Sequence, residues 1–194
     1  MSMTETLNSQ PTPPHPQLLV PNGTLGMAIF IAAEATFFAG LISAYLVLRA
    51  GAFGWPPPDQ PRLPVLVTGI NTLVLLTSGW TMWQTLLARG GADLRRSLLR
   101  TAMLGAVFLG VQGFEWVRLI SFGLTTTSSL FGATFYVLVG AHGVHVMAAL
   151  AAVFYGQRRV RIGGEADLGC VQPIRMYWLF VVAVWPVLYA VVYF

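Results

Sequence analysis

Four side chains able to hold a proton or a ligand lie inside long apolar stretches: Glu34, Glu115, His142 and His145. Glu34 is the single charge in TLGMAIFIAAEATFFAGLISAYLVL, residues 24–48. A helix of that length rises about 37 Å, enough to cross a bilayer. An ionised carboxylate at its centre costs roughly 2.5–3.5 kcal/mol on insertion scales. Its i±3 and i±4 neighbours, Phe30, Ile31, Phe37 and Phe38, offer no charge. Glu34 therefore requires a partner on another helix, or stays protonated. His142 and His145 stand three residues apart on one helix face, a spacing that could ligate a metal or one haem edge. Short motifs of this kind have a high false-positive rate. No cysteine and no further membrane histidine accompanies them, and a haem usually takes two opposed ligands. Histidines bonded across helices are the favoured reading. Glu115 and Arg118 are an i,i+3 pair, read equally as an interfacial ion pair or as part of a deeper network with Gln112. Nucleophilic triads, phosphate loops and paired catalytic carboxylates do not appear. The expected catalytic set is none, and so is the expected metal set.

The elements that must position these groups follow from composition. The chain of 194 residues is 56% hydrophobic and 9% charged, against about 25% charged residues in a soluble domain. It reads as an integral membrane protein with room for five spans. All eleven basic residues are Arg. They reflect loop bias in a membrane protein, not binding to nucleic acid. Cys170 is the lone cysteine and excludes an internal disulfide. No basic n-region or cleavage site marks a signal peptide.

Residues 1–23 carry five prolines and predict a disordered cytoplasmic tail, with His15 solvated. Residues 24–194 predict an all-α bundle of five transmembrane helices at 24–48, 63–87, 97–120, 130–155 and 176–194. Trp55, before three prolines, reads as an interfacial anchor, and Trp178 and Trp185 are read likewise. Arg89, Arg95, Arg96, Arg158, Arg159 and Arg161 fall in the second and fourth loops. Only Arg49, Arg62 and Arg118 fall on the other side. The positive-inside rule then places the N-terminus in the cytoplasm and the C-terminus outside.

On a helical wheel Glu34 shares a bulky face with Phe30, Phe37, Phe38, Leu41 and Tyr45. Ala32, Thr36, Ala39, Gly40 and Ser43 lie opposite. Small residues let helices approach, so the wheel predicts packing on the small side and a lipid-facing Glu34. Phe30, Phe37, Phe38 and Tyr45 become candidates for a lipid cleft. Depth gives a competing expectation. Glu34 and His145 are each ten residues from the cytoplasmic end of their helices, ~15 Å deep, and can hydrogen-bond if the faces meet.

At these residues the sequence resembles subunit III of the haem-copper oxidases, the cytochrome c oxidase subunit III family. The segments that carry the resemblance are IFIAAEATFF at 29–38, Trp55-Pro56-Pro57, NTLVLLTSG at 71–79, Gln112-Gly113-Phe114-Glu115-Trp116, FGATFY at 131–136 and GAHGVHV at 140–146. Together they run in family order from about Thr24 onward. The resemblance marks Glu34, Gln112, Glu115, His142 and His145 as buried motif residues. Two positions depart: Leu179 and Val182 stand where the family usually has His and Asp. Shorter five-helix bacterial forms resemble the chain better than the longer members, which carry two more N-terminal helices.

The resemblance implies a non-catalytic accessory subunit of a respiratory terminal oxidase in the bacterial inner membrane. It implies that the chain itself binds no haem or copper, these residing in catalytic subunit I. Subunit I is the implied direct partner, with subunit II and possible other respiratory subunits, and with structural phospholipid in a cleft. It further implies support for proton uptake. Two other readings stay open. One is a subunit III-like component of a quinol oxidase or nitric oxide reductase. The other is a small proton-coupled transporter, although repeats and broken helices are not evident.

Overall fold

The computed structural model describes residues 22–57, 60–88, 90–163 and 170–194. It contains five helices long and apolar enough to cross a membrane. They are α1 (Asn22–Ala50), α2 (Val65–Trp83), α3 (Gly91–Ser121), α4 (Leu130–Gly163) and α5 (Val171–Tyr193), with a 3₁₀ turn at Gln84–Leu86 continuing α2. The expected 1–23 tail lies outside the described residues up to 21. Asn22 and Gly23 already belong to α1.

Helix boundaries differ from expectation mostly outward. α3 begins six residues before the expected Ser97, and α4 runs on past Tyr155 to Gly163. Arg95, Arg96, Arg158, Arg159 and Arg161 are thus helical rather than loop residues. Hydropathy sees only the lipid-length core of a helix. The extensions are polar, with Asp93 in the first turn of α3 and Arg161 in the last turn of α4. Both placements complement the helix dipole.

α2, α3, α4 and α5 close a ring of four neighbours, and α1 leans on its outside, mainly against α5 and more lightly against α4. Two devices hold the ring. The first is a seam of hydroxyls and amides on the inner face of α2. Thr72, Ser78, Thr81 and Thr85 bond to carbonyls three or four residues earlier in their own helix. The oxygens of Thr72 and Ser78 then accept from α5. Trp185 Nε1 donates to Thr72 Oγ1 at 2.8 Å, and Trp178 Nε1 to Ser78 Oγ at 3.2 Å. Asn71 Nδ2 donates to the Phe108 carbonyl at 3.0 Å, and the Thr81 and Thr101 hydroxyls lie 2.8 Å apart. A donor in hydrocarbon must find a partner within the protein, and these indoles find theirs in the bundle. Trp178 and Trp185 are therefore core residues, which corrects their reading as interface anchors. The wheel could not separate a tryptophan at a headgroup from one aimed at a hydroxyl.

The second device is close approach. A Cβ on Gly105 would come within 2.4 Å of Trp178 Cη2, so only glycine lets α3 seat against that indole. Val182, where the family usually carries Asp, is buried with its Cγ1 3.0 Å from a Cβ built on Gly79. At the far end of the bundle Gly123, at φ 92°, turns the chain out of α3. The Leu124 amide there donates to the Leu119 carbonyl at 3.0 Å. Arg49, at the end of α1, donates to the Val191 and Phe194 main-chain oxygens at 3.0 and 2.7 Å. It thereby satisfies carbonyls that the end of α5 leaves open. Trp55 folds back from the first loop, donates to the Tyr45 hydroxyl at 2.9 Å and sets its ring edge-on to Phe131.

Candidate functional site, a carboxyl and imidazole between α1 and α4

Glu34 and His145 meet. Glu34 Oε2 lies 2.7 Å from His145 Nε2, and His145 Nδ1 lies 2.7 Å from the Ala141 carbonyl oxygen one turn back on α4. The second contact settles the chemistry of the first. A carbonyl only accepts, so Nδ1 carries a hydrogen. In a neutral ring Nε2 is then bare, and the bond to Glu34 requires a proton on the carboxyl. If Nε2 is protonated instead, the ring is a cation and Glu34 its anion. Either way a single proton sits between Oε2 and Nε2, and the pair is neutral overall. A partner on another helix and a protonated carboxyl, posed as alternatives by the sequence, become two descriptions of one arrangement.

Aromatic rings wall the pair. Phe38 meets the His145 ring edge-on at 5.0 Å and Phe37 stacks on it at 6.0 Å. The side chains of His145 and Glu34 retain 16% and 19% exposure, so the site is covered but reached from one side. Beyond it, toward the Tyr45 end of α1, a shallow apolar crevice of about 140 Å³ runs between α1 and α4, floored by Leu41, Tyr45 and Val137.

This geometry reverses the expected orientation of α1. Phe38 and Tyr45 are buried against the bundle, whereas Ala32, Thr36, Ala39, Gly40 and Ser43 are exposed. The groove between α4 and α5 is wide enough for rings, and large side chains fill it. Small residues favour close packing only where a second backbone is present to approach. Glu34 lies on the packing stripe, which is how it reaches His145. Of the four residues expected to line a lipid cleft, Phe38 and Tyr45 are thus interior. Phe30 and Phe37 are 44% and 46% exposed, Phe30 packed against Tyr177 of α5 and Phe37 against His145.

The other motif residues are buried but are not gathered at this pair. His142 is 1% exposed, stacked on Trp185 at 4.9 Å and edge-on to Phe108 and Phe38. Neither of its nitrogens has a hydrogen-bond partner among the described residues. The two histidines therefore serve different neighbours, His145 bonding α1 and His142 packing on α5. No group of three or more His, Cys, Asp or Glu that could hold a metal occurs among the described residues. Glu115 is buried, with Oε1 3.8 Å from the half-exposed Arg118, so the i,i+3 pair forms at long range. Gln112 Nε2 and the Tyr193 hydroxyl are buried, and neither has a hydrogen-bond partner among the described residues. The sequence reading missed Ala141 as part of the site, and it grouped Phe37 and Phe38 with Glu34 as a lipid cleft rather than as a wall around His145. Their signal is the helical register, Ala141 four before His145 and two rings one turn after Glu34.

Comparison with known proteins gives the family of the chain as a whole. A family model described as cytochrome c oxidase subunit III matches residues 12–194. A cytochrome c oxidase subunit 3 of Synechocystis sp. is 35% identical over 99% of this chain and 85% of its own length. A probable cytochrome c oxidase subunit 3 of Nocardia farcinica is 34% identical over 88% of this chain and 87% of its own. A cytochrome c oxidase subunit 3 of Thermostichus vulcanus is 33% identical over 92% and 88%.

Proposed function

The chain belongs to the cytochrome c oxidase subunit III family, and from that we propose that it serves as the accessory third subunit of a bacterial respiratory cytochrome c oxidase. The observation that carries this reading is the continuous match over residues 12–194 to proteins of that name. The relatives' names favour a cytochrome c oxidase over a quinol-oxidising or nitric oxide-reducing complex.

In this role the chain carries no redox centre. Haem and copper reside in the partner catalytic subunit, with subunit II alongside, and they supply the electron transfer and oxygen reduction. What this chain's residues contribute is a covered proton site and an apolar seat. Glu34 and His145 hold one proton without a net charge, so the site is stable within hydrocarbon. The apolar crevice between α1 and α4, and the exposed rings of Phe30 and Phe37 elsewhere on α1, support a seat for a phospholipid acyl chain. The arginine-rich ends of α3 and α4 support an N-terminus on the cytoplasmic side of the inner membrane.

The test is purification of the native complex through a tag on this chain in mild detergent. Co-purification of a haem a-containing subunit, with oxygen consumption from reduced cytochrome c, is the expected result. A haem-free preparation from aerobically grown cells refutes the reading.

A further inference from the structure

Arg49, Arg62 and Arg118 belong to the end of the bundle where α1 and α5 finish and α4 begins. Two of them have partners. Arg118 pairs with Glu115, and Arg49 donates to the Val191 and Phe194 main-chain oxygens. Arg62, exposed just before α2, makes no hydrogen bond or ion pair with any described residue. It shares a pocket with Arg49 nonetheless. The two guanidiniums line a space of about 290 Å³ together with Trp55, Leu63, Phe131 and Val192. This pocket has no lining residue in common with the crevice between α1 and α4.

The pocket is built from fixed parts. Trp55 is tied to the Tyr45 hydroxyl and stands edge-on to Phe131 at 5.4 Å. Arg49 uses two of its five N–H hydrogens on the end of α5, which holds its guanidinium in place and leaves donors for a ligand. A carboxylate at Phe194 would offset the charge of Arg49 and leave that of Arg62 unbalanced. The lining then selects the occupant. An acyl chain suits Leu63, Phe131 and Val192 but not two cations. A bare inorganic ion suits the cations but not the apolar walls. A phosphate group joined to hydrocarbon suits both, and the planar fork of arginine matches phosphate oxygens. Pockets for small molecules start at about 300 Å³, so the space fits a headgroup rather than a whole lipid.

From this juxtaposition we propose that the pocket binds a phosphate group, as carried by an anionic phospholipid headgroup. Arg62 supplies the charge that selects it, and Arg49 is the fixed donor beside it. The site is at the end of the bundle and takes a headgroup, unlike the acyl seat near Glu34. It does not depend on the assignment to an oxidase, so either can fail without the other.

The experiment uses the full chain, tagged and purified in mild detergent with whatever subunits accompany it. A synthetic phosphodiester lipid with a diazirine on its head alcohol is added and irradiated, and labelled peptides are identified by mass spectrometry. The expected label falls on peptides holding Trp55, Leu63 or Phe131. Arg62→Gln, at an exposed position, should lower that label about tenfold through loss of one charge-assisted contact. Arg62→Lys should keep most of it. Arg95→Gln, at the other end of the bundle, should leave it unchanged. Asp59 lies outside the described residues, and Asp59→Asn should hold or raise the label. Unlabelled phosphatidylglycerol should compete about tenfold better than phosphatidylcholine. Inorganic phosphate that competes as well as phosphatidylglycerol keeps the phosphate site but gives it to the free ion. Its failure to compete assigns the site to lipid. No label on these peptides, a label indifferent to Arg62→Gln, or equal competition by phosphatidylcholine overturns the proposal. A pocket filled by a partner protein gives no lipid label and overturns it as well.

Discussion

Substitutions at Glu34 and His145 should separate a proton-sharing pair from a simple ion pair. His145→Ala leaves the Glu34 carboxyl facing phenyl rings with no partner. A buried polar group left unsatisfied costs about 1–3 kcal/mol. The imidazole also packs on Phe37 and Phe38, and losing those contacts adds about 0.5–1.5 kcal/mol. The sum is about 2–4 kcal/mol, nearer the lower figure because the site keeps some exposure. Glu34→Ala strands a neutral ring nitrogen and should cost about 1–3 kcal/mol. Glu34→Gln behaves differently. The ring proton stays on Nδ1, held by the Ala141 carbonyl, so Nε2 remains an acceptor and the glutamine amide can donate to it. The loss should stay below about 1 kcal/mol. The double variant Glu34→Ala with His145→Ala should cost less than the two singles together, by about 1–2 kcal/mol. Equilibrium unfolding in mixed detergent and dodecyl sulfate micelles reads these differences through the buried indoles of Trp178 and Trp185. Infrared difference spectra between wild type and Glu34→Gln add a second readout, the carboxylic acid stretch of Glu34. The reasoning fails if Glu34→Gln destabilises as much as Glu34→Ala, or if the double variant is additive.

Two further substitutions probe the frame around that site. Gly105→Ala should destabilise by about 1–3 kcal/mol, since its methyl enters the space of the Trp178 ring. Adding Trp178→Phe should recover part of that loss in the same unfolding assay, and no recovery would contradict the contact. Arg49→Gln should cost about 1–2 kcal/mol by releasing the oxygens at the end of α5. Faster amide hydrogen exchange at Val191–Tyr193 would report the loosened end.

Much of the fold is legible in the chain because length and hydropathy are enough to place a helix in a bilayer. Five spans, their order and the equal depth of Glu34 and His145 all follow from counting residues. Orientation about the helix axis does not. Whether Phe38 or Ala39 faces a neighbour depends on the width of the groove that α4 and α5 leave, which is a property of three helices at once. That is why the small-residue rule pointed α1 the wrong way. Trp178 and Trp185 failed for a related reason. A tryptophan within a span can aim its indole at a headgroup or at a hydroxyl, and the hydroxyls of Thr72 and Ser78 lie about a hundred residues away in sequence. The end of α4 lies past its expected bound because an Arg-rich turn looks like a loop to a hydropathy scale, although a helix C-terminus welcomes it.

The placement of α1 has a consequence for the order in which the protein is made. Synthesis proceeds from the N-terminus, so α1 is made before α2 to α5. Its main contacts are with α4 and α5, the last made of the five described helices. The ring of α2 to α5 closes around contacts in which α1 has little share. Until α4 is made, then, α1 stands in lipid with Glu34 and no His145. An ionised carboxylate so placed costs roughly 2.5–3.5 kcal/mol on insertion scales. His145 is thus the late-made half of the pair, and α4 closes a contact for which Glu34 has waited.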